Sequence, residues 1–284
     1  MPTREQRQQE AAKHIAFVKT VFGSETKESI ANAVVYEDGE GRELELPEPA
    51  FESTATRVSS AFPATVVFDS QSKTGVIDAC SFTRPGGNYE DGAFGPEQAL
   101  CADSNLYPIL QGCKKTFFDG NRGYECSMLF TDRALFLPDV MFVRNGVMKK
   151  ASVVAIAAPN RTRALENHRS ERECDANLAN RIEAQLRIAA AQGIETLVCG
   201  AFGCGSYGND PAFVAQTYRT WIDAHPGAFK EVVFAVPRSA IEAFEAAFGA
   251  PQPAEEEPQA TTEEEERDTE DWRTIDLPEG ITLR

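Results

Sequence analysis

The chain has 284 residues, 42% of them hydrophobic, so it can form the core of one large globular domain or of two small ones. Acidic residues outnumber basic ones by 44 to 28, which disfavours a protein that binds nucleic acid through its phosphates. The longest apolar run, residues 153–158, is far shorter than the roughly 20 residues of a membrane span, and the first residues lack the apolar stretch of a secretory signal. We therefore expect neither nucleic acid nor membrane as a partner.

The seven cysteines are an odd number and form no CxxC pair. Reduced thiols in the cytoplasm are the expected state, with the nucleus left open. Because HxxxH spacing is also missing, we expect no metal site. We expect no cofactor either. His168 lies near Glu171, Glu173 and Cys174, but the surrounding segment is charged and polar, which is typical of a solvated loop or a helix start.

Composition divides the chain near residue 250. Residues 251–284 contain 12 acids, three bases and few apolar residues. Such a segment cannot offset the entropy lost on ordering. The sequence therefore predicts one domain over residues 1–250 and a disordered acidic tail over residues 251–284, whose partner is unknown.

The pattern of apolar residues predicts the order of helices and strands. Residues 4–22 have helical spacing, with Gly23 expected to end the helix, and the polar segment 38–62 suggests only a short strand at Glu43–Leu46. Further on, the predicted strands are Thr65–Phe68, Val76–Cys80, Val140–Arg144, Val153–Ala158, Thr196–Cys199 and Val232–Val236. The predicted helices are Pro96–Leu110, Leu178–Gln192, Pro211–His225 and Ser239–Phe248. This alternation predicts a three-layer α/β/α fold around a mostly parallel or mixed sheet.

The strongest local signal is the segment 193–213, in which a buried strand is followed by glycines at 200, 203, 205 and 208. Asp210-Pro211 then suits the start of a helix. A tight turn needs one or two glycines, so four favour a loop whose N–H groups bind phosphate. The segment lacks GxxxxGK[ST], and its GxGxxG comes too late in the chain to open a dinucleotide-binding fold. Cys204 has no nearby His, so small size explains it better than nucleophilic chemistry.

A second glycine signal covers residues 81–107. A turn at Pro85-Gly86-Gly87 follows an apolar strand, and a polar loop then leads to a helix that begins near Pro96. Glu97 falls in the first turn of that helix, where the helix dipole favours a carboxylate. On this segment alone, Glu97 is either an ordinary acid at a helix start or a functional group.

Together, the two segments resemble the microbial poly(ADP-ribose) glycohydrolases, a branch of the macrodomain superfamily. That family carries a PGGG turn, a short loop, a Gln-Glu-Glu triplet that opens a helix, and a second loop of the form GAWGCGxFGNDP. The matching segments here are 85–88, 96–98 and 200–211, and the resemblance extends from about residue 5 to residue 250. It implies a mixed sheet of about six strands between helices, with ADP-ribose in a cleft at the strand ends.

The resemblance also implies a set of site residues. The diphosphate is expected against backbone N–H groups of both glycine segments, and Tyr207 is expected beside the distal ribose. The ligand-binding residues expected in this way are Arg84, Gly86, Gly87, Asn88, Phe202, Gly203, Cys204, Gly205, Ser206, Tyr207 and Gly208. The partner it implies is ADP-ribose or an ADP-ribosylated substrate.

Three departures from the family pattern affect the function. The final Glu of the family's triplet is its general acid/base, and that position here is Gln98, whose amide cannot exchange a proton near neutral pH. Glu97 matches the middle position, Asn88 replaces the third Gly of the turn, and Arg84 replaces an Asn. We expect an enzyme that hydrolyses an ADP-ribosyl glycosidic bond without a metal, with Glu97 and Gln98 as the candidate catalytic positions. The alternative is an inactive module that binds ADP-ribose or a related nucleotide.

Overall fold

A computed structural model describes residues 2–249, and the predicted acidic tail lies outside them. The described residues form seven β-strands and ten α-helices. The strands are β1 (Val34–Tyr36), β2 (Ala55–Ser59), β3 (Thr74–Asp78), β4 (Ala134–Arg144), β5 (Val147–Ile156), β6 (Thr196–Cys199) and β7 (Glu231–Ala235). The helices are α1 (Arg4–Val21), α2 (Gly23–Ala31), α3 (Glu40–Glu43), α4 (Pro63–Asp69), α5 (Pro96–Ala102), α6 (Leu106–Gly112), α7 (Arg161–Glu166), α8 (Glu171–Ala191), α9 (Pro211–Ala224) and α10 (Arg238–Phe248).

All seven strands belong to one mixed sheet, in the order β1-β4-β5-β3-β6-β7-β2. β4 runs antiparallel to both β1 and β5, and the remaining pairs are parallel. Successive residues of each strand face opposite sides of the sheet, and both sides are covered. On one side Ile77, Val154 and Leu197 pack with residues of α8 and α9, and on the other Val76 and Val153 pack with residues of α5 and α6. The expected three-layer α/β/α fold is confirmed.

The sheet has seven strands where about six were expected. β1 and β2 were not predicted, because they are short and their exposed and buried residues are mixed. Each lies at an edge of the sheet and is defined by one neighbouring strand only. The predicted strand at Glu43–Leu46 is absent from the described residues: Glu43 ends α3, and the Leu44 carbonyl accepts a hydrogen bond from the Arg187 guanidinium instead of from a strand.

The predicted strand at Thr65–Phe68 is a helix, α4. Pro63 stands at its first position, where the fixed φ of proline suits a helix. Ala64, Val66 and Val67 are buried, so the short apolar run is one packed face of a helix. Periodicity cannot separate these two structures in so short a run.

Several predicted helix bounds also differ, and α8 begins at Glu171 instead of at the predicted Leu178. The helix expected over Pro96–Leu110 is broken into α5 and α6, because Asp103 and Asn105 form backbone hydrogen bonds with Val143 and Met141 of β4. α1 ends at Val21, before Gly23, and the chain continues directly into α2. In contrast, β6 has the predicted bounds, and α9 starts at the predicted Pro211.

Candidate active site

The two glycine segments lie side by side because they follow neighbouring parallel strands. β3 ends at Asp78 and β6 ends at Cys199, and Val76 pairs with Val198 between them. In open α/β sheets, ligands bind beyond the carboxyl ends of such strands. We call residues 84–88 the first turn and residues 200–209 the second loop. The candidate site is the region beyond the carboxyl ends of β3 and β6, where the first turn and the second loop lie.

Glu97 is the second residue of α5, and its side chain is buried against the first turn. Its Oε2 accepts a hydrogen bond from the N–H of Ser81 and its Oε1 accepts one from the N–H of Gly86, both at 3.0 Å. Burial raises the pKa of Glu97 well above its ordinary value, and the charge of Asp78 raises it further, while the two N–H donors oppose the shift. Glu97 is therefore a carboxyl group with a fixed orientation and a perturbed pKa, as acid/base catalysts require.

Asp78 brings a second buried carboxyl group to the same place. It is fully buried at the end of β3, and neither of its oxygens has a hydrogen-bond partner among residues 2–249. Burial raises the pKa of Asp78 to about 7. Two carboxyl groups in one buried site resist being ionised together. Because Glu97 has two N–H donors and Asp78 has none, the negative charge is better stabilised on Glu97 and the proton on Asp78.

Asp78 was not among the site residues predicted from the sequence. The signal was available, since Asp78 is the one charged residue in the apolar run 76–80. In the predicted strand Val76–Cys80 this acid is the central residue, whereas in the structure β3 ends at Asp78. Its complete burial is a tertiary property that the local pattern does not contain.

The first turn is held together by its own backbone and by α5. The N–H of Gly87 donates to the Arg84 carbonyl at 3.0 Å, and the N–H of Gly86 is bound to Glu97. Gln98 Nε2 donates to the carbonyls of Gly86 and Gly87, at 3.0 and 3.2 Å. Since the N–H groups of Gly86 and Gly87 are both occupied, the second loop is the better candidate for binding phosphate.

Arg84 and Asn88, two of the departures from the family pattern, contact each other across the first turn. The guanidinium Nη1 of Arg84 donates to Asn88 Oδ1 at 3.1 Å, in a part of the turn that is exposed to solvent. Asn88 has a φ of +66°, in the left-handed region that asparagine tolerates better than most residues. The pair therefore forms an exposed polar rim on the first turn.

The second loop presents backbone donors that are not used within the described residues. In the range 2–249, the N–H groups of Gly205, Ser206 and Tyr207 donate no hydrogen bond. They precede α9, where Asp210 accepts a hydrogen bond from the N–H of Ala212 as the predicted N-cap. Consecutive N–H donors beside a helix N-terminus favour an anion. This arrangement suits a phosphate or diphosphate group.

The positions occupied by glycine in the second loop differ in their surroundings. Gly203 and Gly208 have φ of +72°, and a Cβ would lie 2.5 Å from Asn209 Nδ2 and 2.4 Å from Thr162 Oγ1, respectively. At Gly205 a Cβ would meet nothing within 4 Å, and φ is outside the left-handed region. Packing and the left-handed backbone therefore explain Gly203 and Gly208, whereas at Gly205 the space that a side chain would take is open.

Asn209 fixes the second loop to the rest of the site. Its Nδ2 donates to the Pro159 carbonyl at 2.9 Å and to the Gly203 carbonyl at 3.0 Å. The loop is thereby joined to the chain that leaves β5. Asn209 was part of the matched loop motif but was not among the predicted site residues, because its hydrogen-bond partners lie 50 and six residues away in the chain.

The remaining residues predicted in the second loop take different positions. Phe202 is buried in the core, so only its backbone can face a ligand. Burial raises the pKa of the Cys204 thiol to about 12, which argues against a nucleophilic thiolate. Ser206 is exposed and Tyr207 is partly buried. The pKa of the Tyr207 hydroxyl is raised by burial and by the nearby Cys80 and Glu97, so Tyr207 is a neutral phenol close to the Glu97 carboxyl group.

An aromatic stack that the sequence did not reveal lies behind Tyr207. The rings of Phe82 and Phe130 are stacked with their centroids 4.6 Å apart, and the Tyr207 ring is 6.4 Å from that of Phe130. Phe130 has a φ of +61°, which is unusual for a bulky residue and implies that the surrounding contacts hold it there. The stack gives Tyr207 a rigid apolar support.

The described part of the chain contains neither a metal centre nor a membrane helix. Between residues 2 and 249, His, Cys, Asp and Glu side chains form no group of three or more that could hold a metal ion. No helix in the same range is long and apolar enough to cross a membrane. The groups identified at the candidate site are carboxyl groups, backbone N–H donors and an aromatic ring.

Known proteins resemble this chain in sequence and in overall fold. Residues 8–145 match the family described as microbial-type PARG, catalytic domain, where PARG stands for poly(ADP-ribose) glycohydrolase. Among curated proteins there is no match to the chain. Among solved structures, the poly(ADP-ribose) glycohydrolase of Thermomonospora curvata is 25% identical, with a TM-score of 0.74 over 86% of this chain and 98% of that one.

Two ligand complexes of such enzymes are also similar. The Deinococcus radiodurans poly(ADP-ribose) glycohydrolase in complex with ADP-ribose is 26% identical, with a TM-score of 0.69 over 78% of this chain and 96% of that one. The T. curvata enzyme bound to the inhibitor ADP-HPD is 25% identical, with a TM-score of 0.72 over 86% and 98% of the two chains. The resemblance found in the sequence is thus confirmed: this chain is similar, in sequence and in fold, to the microbial-type poly(ADP-ribose) glycohydrolases.

Proposed function

We propose that this protein binds ADP-ribose and hydrolyses an ADP-ribosyl glycosidic bond. In this proposal the diphosphate lies on the N–H groups of Gly205, Ser206 and Tyr207. The distal ribose then extends towards β3, between Tyr207 and Glu97. Phe202, Gly203, Cys204 and Gly208 shape the second loop through backbone and packing, and Gly86 and Gly87 shape the surface around Glu97.

One observation carries the proposal: a row of unused backbone donors and a buried carboxyl group follow two adjacent parallel strands. Anion binding alone would need only the second loop. Glycoside hydrolysis needs in addition a carboxyl group with a perturbed pKa at the ribose end. The solved relatives in complex with ADP-ribose and with ADP-HPD support this choice of ligand.

The proposed reaction uses Glu97 as the group that exchanges a proton. The bond between the ribose anomeric carbon and the leaving atom breaks, and water supplies a hydroxyl group to the carbon and a proton to the leaving group. Glu97 takes the proton from one partner and returns it to the other, so the site ends unchanged. Asp78 keeps a proton in the same buried site, and no metal ion takes part.

A second candidate function is a module that binds ADP-ribose without turnover. The observation that favours it is the side chain of Gln98, which occupies the family's general acid/base position and is bound to the first turn through its amide. In this alternative, Glu97 serves only to hold Ser81 and Gly86. The two functions share the same ligand and differ only in whether Glu97 transfers a proton.

Turnover separates the two candidates. Wild type, Glu97→Gln and the control Glu242→Gln, at an exposed glutamate on α10, would be tested on a panel of ADP-ribosylated substrates for release of ADP-ribose. We expect release by wild type and by the control, and a loss of about 10²–10⁴ in rate for Glu97→Gln. Binding of ADP-ribose without release on any substrate would establish the binding module instead.

For the compartment, we propose the cytoplasm, with the nucleus as the alternative. The seven cysteines are all free, and five of them are buried in the fold. Buried thiols that form no disulfide suit a reducing environment. Labelling with a thiol-reactive probe in unfolded protein taken directly from cells would report seven free thiols if the proposal is correct, and fewer if disulfides form.

A further inference from the structure

We propose that Gln98 is a positioning residue, whose carboxamide clamps the first turn so that the N–H of Gly86 stays on the carboxylate of Glu97. The clamp is a property of the protein without ligand. Only its effect on turnover rests on the proposed function. Position 98 therefore has a role of its own and is more than the place of a missing catalytic acid.

The clamp is formed by two consecutive residues of α5. Glu97 Oε1 accepts from the N–H of Gly86 at 3.0 Å, and Gln98 Nε2 donates to the carbonyl of the same residue at 3.0 Å. The second hydrogen of the Gln98 amide is directed to the Gly87 carbonyl at 3.2 Å. Gly86 is thus held at its N–H by an acceptor and at its carbonyl by a donor.

The space around Gln98 fits this role. A Cβ at Gly87 would lie 2.5 Å from Gln98 Nε2 and 2.6 Å from Glu97 Oε2. A Cβ at Gly95 would lie 2.8 Å from Gln98 Oε1. Glycine at both positions leaves a slot that the glutamine side chain fills. The opposite amide orientation would put Oε1 against two carbonyl oxygens, so hydrogen-bond chemistry fixes which end of the amide faces the turn.

A carboxylate cannot replace this amide. An ionised glutamate side chain at position 98 has only acceptors and would face the carbonyl oxygens of Gly86 and Gly87 with no hydrogen to donate. A protonated one has a single donor and could form one of the two hydrogen bonds. Gln98→Glu should therefore close the first turn at low pH and open it at high pH, whereas the amide of wild type does not titrate.

Other ionisable groups around the first turn affect the pKa of the carboxyl group in Gln98→Glu. They therefore affect the pH at which the first turn opens in that variant. Two carboxyl groups lie near the turn, those of Glu97 on α5 and of Asp78 at the end of β3. Their charges raise the pKa of the Cys80 and Cys101 thiols, which lie in the same place. Tyr207 lies opposite in the second loop, and the guanidinium of Arg84 lies on the rim. Two nearby carboxyl groups and burial would raise the pKa of the carboxyl group introduced by Gln98→Glu above the ordinary glutamate value of about 4.3.

Amide hydrogen exchange in the ligand-free protein tests the clamp. Wild type, Gln98→Glu, Gln98→Ala and the control Gln216→Glu, at an exposed glutamine on α9, would be compared at about pH 5 and about pH 8. The amides of Gly86, Gly87 and Tyr89 report the first turn, and those of β6 report global stability. We expect turn amides in Gln98→Ala to exchange at least about tenfold faster than in the control at both pH values, with β6 unchanged. For Gln98→Glu we expect exchange within about threefold of the control at the lower pH and at least about tenfold faster at the higher pH.

Equal turn protection in Gln98→Ala and in the control would overturn the clamp. The clamp would also be overturned if protection of the turn amides in Gln98→Glu did not depend on pH. That comparison is made within a single variant, so it requires only that Gln98→Glu folds. The proposed function can fail separately: if calorimetry finds no binding of ADP-ribose to wild type, the exchange result still decides the role of Gln98. If the proposed function is correct, Gln98→Glu should also be less active than wild type at the higher pH, because the turn opens there.

Discussion

Asp78 and Glu97 bring two buried carboxyl groups together where β3 and α5 meet, and only one of the two is hydrogen-bonded. Glu97 accepts two backbone N–H groups, whereas both oxygens of Asp78 lack a partner among residues 2–249. The pair therefore holds a proton at pH values where an exposed carboxyl group has lost it. This relationship connects the fold to the chemistry, since β3 and α5 bury both groups.

The raised pKa of Asp78 predicts how stability depends on pH. The folded protein keeps the Asp78 proton up to about pH 7, whereas the unfolded chain loses it near pH 4. Between these values the folded state binds more protons, so its free energy of unfolding falls as pH rises. Relative to Asp78→Asn, wild type should lose roughly 2–4 kcal/mol from about pH 4.5 to about pH 8, measured by urea unfolding. Asp69→Asn, at an exposed position, is the control. A constant difference between wild type and Asp78→Asn would show that Asp78 is not protonated in the folded protein.

Crowding at Gly87 predicts a destabilising alanine. Gly87 has a φ of +51°, and a Cβ there would clash with Glu97 Oε2 and Gln98 Nε2. Gly123 is a matched control, since its φ is +86° and nothing lies within 4 Å of its Cβ position. Both alanine variants carry the backbone strain, so their difference isolates the clash. We expect Gly87→Ala to be about 1–3 kcal/mol less stable than Gly123→Ala in thermal or urea unfolding. Equal stability would show that the first turn is not closed on α5.

Gly203 and Gly205 should respond differently to alanine, although both belong to the second loop. A Cβ at Gly203 would lie 2.5 Å from Asn209 Nδ2 and 2.9 Å from Ala158 Cβ, while Gly205 is open. Gly203→Ala should therefore be destabilised by about 1–3 kcal/mol, and Gly205→Ala should stay within about 0.5 kcal/mol of wild type. Unfolding curves of the two variants decide this. A destabilised Gly205→Ala would mean that the fold itself needs this glycine.

The fold could be predicted best where a clear apolar pattern is flanked by residues that typically end or begin a helix or strand. The predictions of the strand Thr196–Cys199 and of the start of α9 were correct. Gly193 stands before the strand, and Asp210-Pro211 stands at the start of the helix. β1 and β2 were missed, because an edge strand is defined by its single neighbour and these two have no alternating pattern. α4 was mistaken for a strand, because its apolar residues form one short run.

The candidate site was predictable in its motifs and unpredictable in its contacts. The glycine segments and Glu97 could be recognised because they match a known family pattern. The burial of Asp78, the Phe82 stack and the hydrogen bonds of Gln98 depend on residues distant in the chain or on the path of the turn. Sequence alone indicated that an acid was missing at position 98, and it could not indicate what the amide does there.

The proposed function depends above all on binding of ADP-ribose to the second loop, and isothermal titration calorimetry of wild type and Gly205→Val decides whether that binding occurs. Valine at Gly205 meets no protein atom at its Cβ, so the variant should fold as wild type does, while its bulk stands where the diphosphate would approach the N–H donors. We predict clear heat of ADP-ribose binding to wild type and affinity at least about 100-fold weaker for Gly205→Val, equivalent to about 2.7 kcal/mol. No binding to wild type, or equal binding to both proteins, would overturn the proposed function.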